Sequence, residues 1–310
     1  MDYHIGFAFS VEQISYAVFE SPDMVLSDIG TLPYPFEYQE DHFLEQEARI
    51  SLTTVLKNII QEKNLKAKSL SFSIESNLAF LKRVIYPENL EESGVNDHIT
   101  WHLTESLNLP LKEYVYIRSD NLAHLDGMNE ELIVSIQKEL VGFFREIARD
   151  LDIPLINLTV HHLAAELALN SALSGQKEHL MILFKVAPSR LETAFFLDGR
   201  LYKSHLERIH PLPATDDYQV NVINMIKQQI AYIENLFQAT RQTQISVDRL
   251  LIYGPGLEEK LLSVIQKNMS IPVDRFNPLQ NIEISVNLQS VINEETASKY
   301  VECVGVSLDQ

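Results

Sequence analysis

Cysteine is almost absent from this 310-residue chain, in which Cys303 is the single example. One thiol excludes a disulfide within the chain, and it excludes a zinc site built from several cysteines. Such sparing use of cysteine fits a reducing compartment. The length suits one large domain or two ordinary ones, and a hydrophobic content of 45% is enough for a sizeable core.

Positive charge and long apolar runs are also scarce. The chain has 25 basic against 43 acidic residues, a formal net charge of −18. Because phosphate backbones are bound by clustered lysine and arginine, this balance argues against nucleic acid as a partner, and also against direct binding to anionic lipid.

The longest apolar runs, such as LMILFKVA at 180–187, fall far short of the ~20 residues that span a bilayer. The start MDYHIGFAF lacks the features of a signal peptide. We therefore expect a cytoplasmic protein with no direct membrane insertion.

The segments that are present alternate between strand-like and helix-like patterns. Residues 4–9 and 14–19 predict a hairpin, and helical spacing of apolar residues predicts a helix within 41–65. The other predictions for this part of the chain are strands at 69–75, 78–86 and 114–120, a helix at 89–107 with Trp101 on its apolar side, and strand-then-helix units at 130–151 and 154–169.

The pattern restarts after residue 175. Residues 179–209 predict three strands, with Asp198-Gly199 as a hairpin turn because both turn positions require positive φ. The remaining predictions are a helix at 221–240, a strand, glycine-containing turn and helix at 247–269, and a final helix at 294–310. The restart indicates an internal structural duplication.

These patterns predict an α/β fold in two halves. The first half is expected at 1–175, with an inserted subdomain around 78–125. The second is expected at 176–310, with its C-terminal helix 294–310 packing back on the first half. The polar segment 173–178 is the predicted seam between them.

Several short motifs, taken in order, carry a family resemblance. They are Ile5, Gly6 and Ile14 in the opening hairpin, FLKRVIYPENLEES at 80–93, LVGFFREIARDLDIPLINL at 140–158, the Asp198-Gly199 turn with Arg208, Asn277-Pro278-Leu279, and VGVSL at 304–308. With them the chain resembles the actin-like ATPase superfamily, which is built from two ribonuclease-H-like halves. Within that superfamily it is most similar to the PilM family of type IV pilus assembly, and also to the cytoplasmic part of the type II secretion L protein. The resemblance covers nearly the whole chain and implies an actin-like two-domain fold.

The chain departs from this family where the family binds nucleotide. The positions that match the family's nucleotide motifs are Ala8, Ser10, Ser15, Lys185, Ala187, Gly254 and Gly256. The family has aspartates where this chain has Ala8 and Lys185, and those carboxylates hold Mg²⁺ through waters. The family has glycines where this chain has Ser10 and Ala187, and they let backbone N–H groups approach the phosphates.

These departures predict a degenerate nucleotide site. A lysine about 4 Å from a dication costs roughly 8 kcal/mol at an effective dielectric near 20, an upper figure because the Lys185 side chain could swing away. We therefore expect no nucleotide cofactor and no hydrolysis.

No other catalytic or metal site is predicted. His161 and His162 are adjacent, so on a helix they point about 100° apart and do not converge on one ion. We expect them to cap a helix or to lie at the edge of the core. The sequence Gly254-Pro255-Gly256 could meet a phosphate at a helix start. Glu258 and Glu259, just after it, would repel an anion.

The resulting hypothesis is a non-catalytic, nucleotide-free actin-like scaffold, a pseudo-ATPase of pilus or secretion assembly. The resemblance implies that its partner is the cytoplasmic tail of a single-span inner-membrane assembly protein, docked in a groove of the first half, and that it works at the membrane through this partner. We expect the groove within 78–125. A divergent ATPase or sugar-kinase-like enzyme of the same superfamily is the alternative, and a regulatory domain without an export role is a third reading.

Overall fold

The computed structural model describes residues 2–37, 44–119, 123–125, 127–174, 179–188, 190–209, 216–241 and 245–309. The strands are β1 (Asp2–Phe9), β2 (Ile14–Ser21), β3 (Val25–Leu32), β4 (Ala67–Ile74), β5 (Ala79–Pro87), β6 (Tyr114–Arg118), β7 (Ala123–Leu125), β8 (Met128–Gln137), β9 (Leu155–Val160), β10 (Leu180–Ala187), β11 (Arg190–Leu197), β12 (Arg200–Arg208), β13 (Arg249–Tyr253) and β14 (Val273–Arg275). The helices are α1 (Gln46–Glu62), α2 (Glu92–Thr104), α3 (Lys138–Leu151), α4 (His161–Ala172), α5 (Asp216–Arg241), α6 (Glu259–Asn268), α7 (Val286–Gln289), α8 (Glu294–Ala297) and α9 (Val301–Ser307).

Two five-stranded sheets have the same internal plan. Their orders are β3-β2-β1-β4-β9 and β12-β11-β10-β13-β14. In each sheet the first three strands are antiparallel neighbours, and the first strand then pairs in parallel with the fourth. The repeated plan agrees with the restart of the sequence pattern. The seam predicted at 173–178 lies mostly outside the described residues, so the domain boundary stays a prediction.

A smaller sheet interrupts the first repeat. Strand β8 pairs with β5, β6 and β7, all antiparallel. Helix α2 covers this sheet with Val95, Ile99 and Leu103, which are spaced i, i+4 and i+8 and form one buried stripe. The sheet extends to Gln137, past the predicted end of the insertion at residue 125.

Local sequence explains the β11–β12 hairpin and helix α3. Asp198 and Gly199 have φ values of 50° and 76°, which makes the tight β11–β12 hairpin as predicted. Helix α3 is strongly amphipathic, and its buried side chains include Phe144 and Ile147. It ends at Asp152 in the left-handed region, with φ of 56°, a common way for a helix to stop.

The end of the chain differs from its prediction. The helix expected at 294–310 is two short helices, α8 and α9. Helix α9 is buried over its whole length and packs against β1, β4 and α4. A Cβ on Gly305 would overlap the backbone carbonyl oxygen of Ala164, and this close approach of α9 to α4 therefore requires glycine.

Two further local predictions are corrected. Strand β3 completes the first sheet but was not predicted. Trp101 does not lie on the apolar side of α2, because 58% of its surface is exposed while Ile99 and Leu103 are buried. Among the described residues, no helix is both long and apolar enough to cross a membrane.

Candidate functional site

The positions predicted to form a degenerate nucleotide site lie on the opening strands of the two large sheets and the turns beside them. Ala8 is buried near the end of β1, between Ser15 on β2 and Ser73 on β4. Lys185 and Ala187 are buried near the end of β10. Ala8 on β1 and Lys185 on β10 therefore lie at corresponding ends of the two sheets, as expected for two halves with the same plan.

The first turn already uses its backbone donors. The Ser10 N–H donates to the carbonyl of Gln13 at 3.1 Å, and the Ser10 hydroxyl donates to the same oxygen at 2.8 Å. The Val11 N–H donates to Oε1 of Glu75 at 2.8 Å. A carboxylate of this chain therefore holds the N–H group that an incoming anion would need.

The turn after β13 is closed in the same way. The Gly254 N–H donates to the carbonyl of Ser298 at 3.1 Å, and the Gly256 N–H donates to the carbonyl of Val186 at 2.9 Å. Gly254 has φ of 111°, and a Cβ there would lie 2.6 Å from the Val186 oxygen. These glycines serve close backbone packing, and both N–H groups have protein acceptors.

Lys185 lies at the centre of a buried group of charges. Its Nζ is 2.9 Å from Oε1 of Glu302, 3.4 Å from Oε1 of Glu192, and 3.2 Å from Nδ1 of His161. Burial opposes the charge on the ammonium, but Glu192 and Glu302 outweigh it and raise the pKa of Lys185 above the ordinary lysine value. The side chain is 3% exposed and so does not swing out to solvent as the sequence argument allowed.

Arg190 is the second buried cation. Its Nη2 donates to Oε1 of Glu75 and lies 3.5 Å from Oε2 of Glu12, and its Nε is 3.2 Å from Oε1 of Glu192. Burial again opposes the charge, and the carboxylates of Glu192 and Glu75 keep the pKa of this guanidinium raised. Arg190 therefore ties β11 of the second sheet to the turn and strand end of the first.

Three neutral groups complete the charge network. The Tyr253 hydroxyl donates to Oε1 of Glu302 at 3.0 Å, and burial raises the pKa of this tyrosine well above its usual value. Burial also lowers the pKa of His161 to about 3 and lowers that of His162, so both rings are neutral at pH 7. The two histidines begin α4 and are fully inside the protein rather than at the edge of its core.

We call this set the central charge network. Its members are Glu12, Glu75, His161, His162, Lys185, Arg190, Glu192, Tyr253 and Glu302. It joins the first half, the second half and the C-terminal helix where Arg190, at the start of β11, meets Glu12 in the turn between β1 and β2.

The network contains a possible ligand set for a metal, but its cations oppose one. One ligand atom each from Glu75, His161 and Glu192 lie within 4.8 Å of one another. The ammonium of Lys185 and the guanidinium of Arg190 contact these same groups. A dication about 4 Å from one unit positive charge is repelled by roughly 8 kcal/mol at a dielectric near 20. The positive charge that these carboxylates need is already supplied by the chain.

Sequence reasoning placed Lys185 here but missed Glu75, Arg190, Glu192 and Glu302. A usable signal was present in the second half, where Lys185, Arg190 and Glu192 stand alone in otherwise apolar strands. A buried charge requires a partner, so such isolated charges predict one another. Nothing comparable marked Glu302, whose position depends on the docking of α9.

An apolar groove lies elsewhere in the first half, between two sheet edges. In the described part of the chain, β6 pairs only with β8, and β9 pairs only with β4. The cavity between them has a volume of about 200 Å³ and is lined mainly by aliphatic side chains. Val115 and Ile117 on β6 and Ile156 on β9 line it and are 40%, 54% and 47% exposed. Strand β6 falls within the segment 78–125 that the sequence analysis selected for a groove.

Comparisons with known proteins give a fold but no close relative. No family model matches the chain, and no curated protein matches it. A solved structure of the PilM-PilN type IV pilus biogenesis complex matches with a TM-score of 0.74 at 11% identity, covering 98% of this chain and 97% of that one.

Two further structures match less closely. The cytoplasmic domain of EpsL, an inner-membrane component of the type II secretion system of Vibrio cholerae, has a TM-score of 0.50 at 8% identity, covering 89% of this chain and 98% of that one. An inorganic polyphosphate/ATP-glucomannokinase from Arthrobacter sp. strain KM has a TM-score of 0.51 at 12% identity, covering 100% of this chain and 98% of that one. At such identities the likeness is one of fold. The chain therefore has the actin-like fold, and its structure resembles PilM along nearly its whole length.

Proposed function

We propose that this chain is a non-catalytic actin-like scaffold, a pseudo-ATPase of type IV pilus or type II secretion assembly, which binds the cytoplasmic tail of an inner-membrane partner. The observation that carries the non-catalytic part is the central charge network. Lys185 provides positive charge where the family has an aspartate, and Glu75 takes the Val11 N–H at the first turn. Lys185 thus takes the place of the metal cation of a nucleotide complex, and the Glu75 carboxylate takes the place of its phosphate.

The closed network also opposes nucleotide entry on energetic grounds. A bound phosphate would approach Glu12, Glu75, Glu192 and Glu302, which the network balances with Lys185 and Arg190. Breaking a buried ion pair leaves an uncompensated charge, which costs about 3–5 kcal/mol. Mg²⁺ and ATP would have to displace these contacts before making any of their own.

The partner part of the proposal rests on the apolar groove between β6 and β9. Strands β6 and β9 both line it and are end strands of their sheets in the described part of the chain, and an extended peptide can add to a strand edge through main-chain hydrogen bonds. Val115 and Ile117 are two residues apart on β6, so they point to the same side and would contact alternate side chains of the peptide. Because the chain carries −18, we assign the groove to a tail that is apolar at alternate positions and basic overall.

This tail would place the protein at the cytoplasmic face of the inner membrane. The PilM-PilN complex and the EpsL domain support a role in pilus or secretion assembly by likeness of fold. The main alternative is a divergent ATPase or sugar-kinase-like enzyme, which the glucomannokinase likeness keeps open. A thermal-shift screen with ATP, ADP and Mg²⁺ separates the two, because only the enzyme is stabilised by its nucleotide.

The groove is tested with synthetic peptides that cover the cytoplasmic tails of the single-span membrane proteins encoded beside this chain. We expect at least one peptide to bind the wild type, and Ile117→Asn, which removes an apolar contact without adding charge, to weaken its binding at least tenfold. Val286→Asn is the matched control, since Val286 is 82% exposed on α7 and lies outside the groove. If no peptide binds at low salt while circular dichroism shows a folded protein, the scaffold proposal loses its partner and the regulatory reading gains support.

A further inference from the structure

Two histidines on α2 lie at the separation of metal ligands. The Nε2 atoms of His98 and His102, one helical turn apart, are 3.2 Å from each other. Imidazole nitrogens bind Zn²⁺ at 2.0–2.1 Å, and tetrahedral geometry then puts two such nitrogens about 3.3 Å apart. The rings cross at 79° with centroids 4.6 Å apart. The pair therefore fits one ion with little movement of either side chain.

A third electron-rich atom points to the same place. The carbonyl oxygen of Ile85, on the neighbouring strand β5, lies 3.0 Å from Nε2 of His98. Nε2 of a neutral His98 either carries a hydrogen, which it can donate to the Ile85 carbonyl, or has a lone pair, which can accept from His102. It cannot make both contacts at once. A cation among the three atoms satisfies all of them at once.

The charged groups near the two histidines come from β5 and from α2 itself. Lys82 is directed to the carbonyl of His102 and to the Ser106 hydroxyl, so it lies on the backbone side of this residue. The rest of the helix is acidic, with Glu91, Glu92, Asp97 and Glu105 in or beside α2. Such a surface attracts divalent cations.

We propose that His98 and His102, with the carbonyl of Ile85, form a binding site for a divalent transition metal ion of the zinc class. Imidazole ligands suit Zn²⁺, Ni²⁺ and Cu²⁺ better than Mg²⁺ or Ca²⁺. Water completes the coordination shell, which makes the site open and reversible. A bound ion fastens α2 to β5 and fixes the helix face that presents Trp101. The site is independent of the central charge network and of the groove.

The sole tryptophan provides a direct measurement. The Trp101 ring is 4.7 Å from the His102 ring and 6.4 Å from the His98 ring. Bound Cu²⁺ quenches a fluorophore at this range, so titration with CuCl₂ should quench Trp101 with a saturating curve. A large excess of ZnCl₂ should then restore the emission by competition, an excess being needed because such sites bind Cu²⁺ more tightly than Zn²⁺.

Variants separate a specific site from general surface binding. His98→Gln and His102→Gln should each raise the Cu²⁺ midpoint at least tenfold and remove the recovery with Zn²⁺. His205→Gln is the matched control, since His205 is a half-exposed histidine on β12, and its midpoint should not change. Circular dichroism checks folding, and His98→Gln alone suffices if His102→Gln does not fold. Equal quenching of the wild type and His98→Gln, or quenching that a large excess of Zn²⁺ does not reverse, would overturn the proposal.

Discussion

Lys185 and Glu302 lie 2.9 Å apart inside the protein, one on the opening strand of the second half and the other on the last helix. Helix α9 packs against β1 of the first half. This one ion pair therefore connects the second half to the first through the chain end. Its strength bears on how rigidly the two halves are held together.

Replacing Lys185 by methionine should lower the free energy of unfolding by about 3–5 kcal/mol, because Glu302 loses its cation while still buried and Glu192 is left with Arg190. Chemical denaturation monitored by circular dichroism measures this loss. Lys203→Met is the control, since Lys203 is exposed and pairs with Tyr232 at the surface. It should change stability by no more than about 1 kcal/mol.

Removing both partners tests whether the pair is coupled. The double variant Lys185→Met with Glu302→Gln should be more stable than the sum of the single effects predicts, because neither change then leaves an isolated charge. Additive effects would mean that Lys185 and Glu302 do not interact as the structure has them.

Stability should fall as the pH is lowered from 6.5 towards 4. Burial lowers the pKa of His4 to about 4 and that of His161 to about 3, and it also lowers the pKa of His162. Below pH 6.5 the unfolded chain therefore binds protons that the folded chain excludes. Each histidine then contributes a slope of about 1.4 kcal/mol per pH unit. For Glu302, burial raises the pKa, but the nearby Lys185 more than offsets this effect, so the pKa lies below its usual value. Protonation of Glu302 therefore lowers the free energy of unfolding further at still lower pH.

Urea denaturation at several pH values measures the slope. His161→Gln should reduce the slope by about 1.4 kcal/mol per pH unit, the contribution of one proton. A free energy of unfolding that stays flat from pH 7 to pH 5 would contradict the burial of neutral histidines.

Binding of a basic tail should weaken strongly with salt. The net charge of −18 attracts a basic peptide over a long range, and a Debye length of about 8 Å at 0.15 M screens that attraction. Surface plasmon resonance across a salt series should show the association rate falling much more than the dissociation rate rises. An association rate that does not vary with salt would exclude electrostatic steering.

Much of the fold follows from local patterns, and the site follows from them only in part. The Asp198-Gly199 turn and the alternation of strands and helices were readable because each depends on neighbouring residues. Trp101 was misplaced because the stripe of Val95, Ile99 and Leu103, which fixes the buried face of α2, was not traced. A count of that i, i+4 spacing would have put Trp101 outside.

The partners in the central charge network could not be predicted from local sequence patterns. Arg190 and Glu75 are 115 residues apart in sequence, and they meet only because two sheets bring their strand ends together. The docking of α9 against α4 is equally non-local, because Gly305 meets the backbone of Ala164. The degenerate positions Ala8 and Lys185 could be located from the sequence, but not the groups that now occupy the space around them.

The central claim, that the actin-like fold persists without its nucleotide, is tested most directly by titration calorimetry with Mg-ATP at high protein concentration. The central charge network predicts no saturable binding tighter than the millimolar range. It also predicts none for Lys185→Asp, because Ala8 still offers no ligand and the turn N–H groups remain bonded within the chain. A micromolar dissociation constant for the wild type would contradict the account and favour the divergent enzyme.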